Sequence, residues 1–157
     1  MFLDACDHVC RISRILRQPG GNALLFGVGG SGRQSLAKLS TYINSYDCNT
    51  IEVSKGYAMA DFIKSVKECL LKCGNPKENC QTFLLVDTQL IFQNMLEIVN
   101  NILNTGEVAG IYKQDDMETI RNLCKDETKK LYGQLSDTNI MKVYTSRVIK
   151  NIHIVLA

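Results

Sequence analysis

The sequence has no tryptophan, only two prolines, and no apolar run near the ~20 residues that a membrane-spanning helix requires. Asp87 and Lys150 interrupt the best candidates. Charge of neither sign dominates. Eighteen Lys and Arg oppose sixteen Asp and Glu, a formal net charge of +2, so the basic excess typical of a generic nucleic-acid binder is missing. Neither nucleic acid nor membrane is an expected partner. The opening residues, MFLDACDHVC, have no basic segment followed by an apolar stretch, which excludes a signal peptide there. Paired C-x-x-C spacings are also missing. The seven cysteines are odd in number, and Cys6/Cys10 and Cys69/Cys73 are spaced to share helix faces. They read as reduced, small buried apolar side chains rather than as a disulfide framework or a zinc site.

What is present suffices for a core. A chain of 157 residues, 45% of them hydrophobic, is about one domain long and can bury roughly 70% of its unfolded surface. Helical spacing runs from Phe2 to Gln18 and is stopped by Pro19-Gly20-Gly21. Ala23–Phe26 is a short apolar run, the pattern of a strand buried on both faces. A helix carrying Leu36, Leu39, Tyr42 and Ile43 follows, then a strand predicted at Thr50–Val53. Further helices are predicted over Met59–Cys73, Ile91–Leu103, Gln114–Lys130 and Asn139–Ile149, with strands at Thr82–Val86 and Ile152–Ala157. Strands alternating with helices predict an α/β fold built on a mainly parallel sheet. The chain stops inside the fourth strand, so the expectation is a segment of a longer polypeptide.

Between the first strand and the second helix lies Gly27-Val28-Gly29-Gly30-Ser31-Gly32-Arg33-Gln34-Ser35. Two motifs fit it. In a P-loop, G-x-x-x-x-G-K-[ST], backbone amides cradle phosphates at a helix N-terminus. Gly27 and Gly32 have that spacing, with Arg33 at the lysine position, Gln34 at the hydroxyl position and Ser35 one residue later. Gly27, Gly29 and Gly32 also satisfy the dinucleotide fingerprint, with Glu52 available as the ribose-binding acid. A third reading is a glycine-rich turn that binds nothing. Asp87 favours the P-loop: it follows the apolar strand TFLLV, where a nucleotide-bound Mg²⁺ needs a carboxylate. Two substitutions weaken catalysis. Arg33 is a planar fork rather than a compact point charge, and Gln34 is a poorer metal ligand than a hydroxyl. Thr88 stands where ATPases of this kind commonly place a glutamate, and a hydroxyl is no carboxylate base. Nucleotide binding with slow or absent hydrolysis is the expectation.

With these motifs placed, GNALLFGVGGSGRQSLAKL, TFLLVDTQ, NNILNTGEV and RVIKNIHIVLA together resemble the fourth AAA+ module of axonemal dynein heavy chains. The resemblance covers essentially the whole chain. It implies an AAA+ large subdomain, truncated after the fourth strand, with strand order 1-4-3-2. Its implied parts are a leading helix (1–20), a P-loop core through the Walker B aspartate (21–105), a helical insert (106–150) and the fourth strand (151–157). It further implies ATP or ADP with Mg²⁺ as ligands. Gly27, Val28, Gly29, Gly30, Ser31, Gly32, Arg33, Gln34 and Ser35 would hold the phosphates, and Asp87, Gln34 and Ser35 would serve the metal. Neighbouring AAA+ modules of the same heavy chain are the implied partners, with microtubules reached only through a distant stalk in the ciliary or flagellar axoneme. The fifth strand, polar sensor, arginine finger and helical lid of a complete module are not in the sequence. The charged residues of the insert (Asp115, Asp116, Glu118, Lys125, Asp126, Lys129, Lys130) read as a solvated face, and His153 as a packed or edge histidine.

Overall fold

The computed structural model describes residues 2–157. Helix α1 (Leu3–Leu16) leads into strand β1 (Ala23–Leu24), helix α2 (Arg33–Ile43) and strand β2 (Asp47–Thr50). Helix α3 (Met59–Gly74), strand β3 (Gln81–Leu85), a 3₁₀ turn at Asp87–Gln89 and helix α4 (Gln93–Thr105) follow. Helices α5 (Gln114–Tyr132) and α6 (Asp137–Asn151) precede strand β4 (Ile152–Leu156). All strand pairs are parallel, in the order β1-β4-β3-β2. The expected α/β class and strand order both hold.

Side-chain alternation along the central strands builds a core on each face of the sheet. Phe83 and Leu85 of β3 and Ile152 and Ile154 of β4 join α3, α5 and α6 in the larger core. Leu84 and Val155 face the other way, onto Ile12 and Leu16 of α1 and Ala37 of α2. One face of α3 is buried: Phe62, Val66, Leu70 and Cys73 all lie in the larger core. Tyr144 of α6, fully buried, donates its hydroxyl to the Leu70 carbonyl at 3.0 Å and lies 2.9 Å from the Tyr112 hydroxyl. Arg147, one turn on, donates to Glu127 of α5 and to the carbonyls of Leu123 and Gly74, which locks α3, α5 and α6 together.

Several expectations need correction. The second strand lies at Asp47–Thr50, not Thr50–Val53. It is an edge strand whose polar side chains find partners: Asn49 donates to Gln81 Oε1 and Gln81 donates to Asp47 Oδ2, both at 2.9 Å. Hydrophobicity therefore pointed past it, to Ile51, which is buried just beyond the strand. β1 is shorter than the apolar run, and it is not buried on both faces. It too is an edge strand, leaving Leu24 67% and Phe26 94% exposed. The cysteines divide: Cys69, Cys73 and Cys124 are buried as expected, while Cys10 and Cys48 are exposed, and all seven are free thiols. No cluster of metal-ligating side chains occurs among the described residues. No helix is long and apolar enough to cross a membrane among them. In the insert, Asp116 is not simply solvated. It pairs with Lys67 of α3 at 3.0 Å and accepts the Lys113 amide at 2.8 Å, fixing the start of α5 and holding its carboxyl below the ordinary range.

His153 is the packed histidine the pattern implied. It is 1% exposed, stacks on Tyr46 with ring centroids 5.1 Å apart, and bonds the Gly21 carbonyl through Nδ1 at 2.8 Å. Its Nε2 is buried without a partner. Burial lowers its pKa, partly offset by the Gly21 bond. A histidine kept neutral by folding contributes stability above its unfolded pKa, ~6.5, and that contribution is lost as pH falls through its lowered folded value. The urea midpoint of the chain is accordingly expected to fall between pH 7 and pH 5, and more steeply than in His153→Gln. Equal slopes for the two chains would contradict this assignment.

Candidate functional site

The glycine loop leaves the sheet at the carboxyl end of β1 and enters α2. Within it, the Ser31 amide donates to the Val28 carbonyl at 3.2 Å, closing a turn in which Gly30 has φ +78°. Gly32, φ +79°, precedes the first helical residue and offers no side-chain cap. The opening amides of α2 are thus left for an external acceptor, and an uncapped helix start attracts anions. Added Cβ atoms at Gly29, Gly30 and Gly32 would meet nothing within 4 Å, so the loop is open rather than packed. Gly27 is different: a Cβ there would lie 2.9 Å from Ser31 Oγ.

A cavity of about 240 Å³ opens on this loop, lined by Gly30, Ser31, Gly32, Arg33, Gln34, Ser35, Val86 and Ala157. Gln34 and Ser35, the second and third residues of α2, both line it. Asp87 begins the 3₁₀ turn after β3, and its amide donates to the Ala157 carbonyl at 3.0 Å, which anchors it beside the end of β4. Its Oδ1 accepts the Thr88 amide at 2.7 Å. Thr88 is exposed. Asp87 borders a second cavity of about 340 Å³ that also touches Leu25, Phe26, Gly27, Leu90 and Leu156. Arg33 and Ala157 line both spaces. The P-loop residues and Asp87 therefore gather at the carboxyl end of the sheet, where Arg33 lines one cavity with Gln34 and Ser35 and the other with Asp87.

Arg33 does not point as expected. Its side chain turns back past Gly27, Nη1 lies 3.5 Å from the Leu25 carbonyl, and Nη2 lies 3.7 Å from Asp87 Oδ2. The rival dinucleotide arrangement loses its acid. Two strands, β4 and β3, separate β1 from β2, whereas that fold keeps its first two strands adjacent. Glu52 lies exposed beyond β2, at the far edge from the loop.

Sequence reasoning missed two contributors. Gln89 accepts the Val86 amide at 2.9 Å and donates to the Ile51 carbonyl at 2.6 Å, tying the end of β3 to the segment after β2 and fixing the turn that carries Asp87 and Thr88. Nothing local marks it, because both partners are backbone groups and one is far away in the chain. Gln89→Ala is expected to cost about 1–2 kcal/mol of stability by orphaning these groups, measured as a shift in the urea midpoint; a change below about 0.3 kcal/mol would contradict that role. The second is a groove between α1 and β1, about 340 Å³, lined by His8, Arg11, Ile12 and Ile15 and reaching Gly27 and Ser31.

Residues 1–157, the whole chain, match the family model described as the P-loop containing dynein motor region D4. The chain belongs to this dynein family. Among its relatives, dynein axonemal heavy chain 1 of Mus musculus is 46% identical over 157 residues, covering 99% of the chain. Dynein axonemal heavy chain 6 of Homo sapiens is 39% identical, and the dynein-1-beta heavy chain of the flagellar inner arm I1 complex of Chlamydomonas reinhardtii is 40% identical, each over 99% of the chain. The chain spans only 3–4% of the length of these relatives. A glycine-rich loop feeding a helix from a parallel sheet is the arrangement that a P-loop name requires, and this chain has it.

Proposed function

We propose that the chain is the fourth AAA+ module of an axonemal dynein heavy chain and binds ATP or ADP with Mg²⁺ as a regulatory ligand. The observation that carries this reading is the open glycine loop joined to an uncapped helix start, with a carboxylate at the end of β3, two strands along in the sheet. The amides of Gly27–Ser35 suit phosphate oxygens. Asp87, Gln34 and Ser35 offer the hard oxygen donors that Mg²⁺ takes. Mg²⁺ bound there would neutralise phosphate charge. Thr88 can orient a water through its hydroxyl and has no carboxylate to accept its proton, so hydrolysis is weak or absent. The apolar groove beside Gly27 suits the flat faces of a base.

The names of the relatives, axonemal and flagellar-arm heavy chains, support a ciliary or flagellar axoneme as the place of work. In that setting the partners are the neighbouring AAA+ modules of the same heavy chain. Bound nucleotide would bias the conformation of the ring and hence the microtubule affinity of the distant stalk.

The test is equilibrium binding of ATP, ADP and NAD, each with and without Mg²⁺, combined with phosphate-release measurements. Saturable ATP and ADP binding with phosphate release at background is the expected result. Tight NAD binding without ATP binding would overturn the ligand assignment. Rapid phosphate release that survives Thr88→Ala would overturn the assignment of weak hydrolysis.

A further inference from the structure

Arg33 lies where a P-loop keeps its phosphate-contacting lysine, yet its guanidinium is turned toward the sheet. It is held at 21% side-chain exposure between the Leu25 carbonyl and Asp87 Oδ2. Asp87 is anchored from the opposite side by its amide on Ala157 and by the Thr88 amide on Oδ1. One carboxylate oxygen is thus held by the Thr88 amide while the side chain stays 65% exposed, and the one cation within ion-pair distance of it among the described residues is Arg33. Arg33 also lines both cavities, so it stands between Asp87 and the neutral oxygens of Gln34 and Ser35.

We propose that Arg33 is the resident counter-cation of Asp87, which a divalent cation must displace before the carboxylate and the start of α2 can act as one site. The physical basis is competition. A guanidinium already balances the carboxylate charge and repels a second cation arriving at the same oxygens. A lysine, shorter and compact, could not span from the helix start to both the Leu25 carbonyl and Asp87 in a planar fork. It follows that a phosphate group drawing Arg33 away frees Asp87, so phosphate and Mg²⁺ each favour binding of the other. The ligand-free chain is thereby biased against binding the metal on its own. The inference rests on Asp87 being the metal carboxylate of the proposed nucleotide site.

The experiment titrates Mg²⁺ alone into the chain at constant ionic strength, following the backbone amide shifts of Asp87 and Thr88. Arg33→Met is expected to bind Mg²⁺ roughly fivefold more tightly than the unmodified chain, a figure typical of removing one partly exposed charge from a pair. Lys38→Met, which removes a positive charge elsewhere on α2, is expected to change the affinity by less than about twofold. Unchanged Mg²⁺ affinity in folded Arg33→Met overturns the proposal, as does an equal gain in Lys38→Met or an absence of Mg²⁺ response in both chains. A second measurement requires no variant. ADP affinity for the unmodified chain is expected to improve about threefold or more on adding Mg²⁺, and a smaller improvement overturns the proposal. Failure of ADP to bind under either condition sinks the nucleotide reading, and the Mg²⁺ titration still decides the role of Arg33.

Discussion

Gly74→Ala is expected to lower the stability of the chain by roughly 2 kcal/mol, the opposite of what helix propensity predicts. Gly74 is the last residue of α3 and has an ordinary helical backbone, so alanine there should help by up to about 1 kcal/mol on propensity alone. Packing reverses the sign. A Cβ at Gly74 would sit 2.0 Å from Cε2 and 2.6 Å from Cδ2 of Tyr144. The ring has nowhere to go, since its hydroxyl is held between the Leu70 carbonyl and the Tyr112 hydroxyl and the side chain is fully buried. Forcing one extra carbon into such a contact costs on the order of 3 kcal/mol. Gly74 also lends its carbonyl to Arg147, so a displaced helix end would disturb the link to α5 and α6. Chemical denaturation measures the change directly. A Gly74→Ala chain as stable as the original would show that α3 and α6 do not pack as described, and Gly74→Ala combined with Tyr144→Leu should recover part of the loss.

Gly32→Val is expected to act on the ligand instead, weakening ADP binding by at least about 30-fold while the chain remains folded. Gly32 adopts φ +79°, a conformation that costs a β-branched residue about 1–3 kcal/mol. Its added Cβ touches no protein atom, so the fold pays little beyond that strain. The side chain would instead project at the mouth of α2, where the free amides face the cavity. Isothermal titration with ADP, paired with a denaturation curve, separates the two effects. Undiminished ADP binding by Gly32→Val would remove the loop from the site. Gly29→Ala supplies the comparison, because Gly29 has neither a positive φ nor a close neighbour and its substitution should be tolerated far better.

These two glycines mark the boundary of what a sequence conveys. Gly32 was legible as a functional glycine, since it falls at a motif position between a strand and a helix. Gly74 falls just past the helix predicted over Met59–Cys73, where a glycine reads as a helix stop. Its close contact with a tyrosine seventy residues later has no local signature. Asp87 was legible for the same reason as Gly32: four apolar residues precede it, and a polar residue ending a buried strand has few structural uses. Gln89 was not, because its bond to the Ile51 carbonyl depends on strand order and its short-range bond to the Val86 amide leaves no hydrophobic period. The misplaced second strand has the same origin. Asp47–Thr50 is stabilised by pairing with β3 and by amide contacts to Gln81, neither of which leaves a hydrophobic period.

Local patterning by itself determined the alternation of helices and strands, the glycine loop and the carboxylate that follows the third strand. Periodicity records which face of an element is buried, and that is a property of the segment. Segment patterns left the strand order open; the resemblance implied it, and the tertiary structure shows β4, the last strand, between β1 and β3, which brings Ala157 against Asp87 and leaves Glu52 at the far edge. Only the tertiary structure decided the direction of Arg33. The choice of a cation between an external phosphate and a carboxylate on another strand depends on distance across the sheet, and strand pairings set that distance.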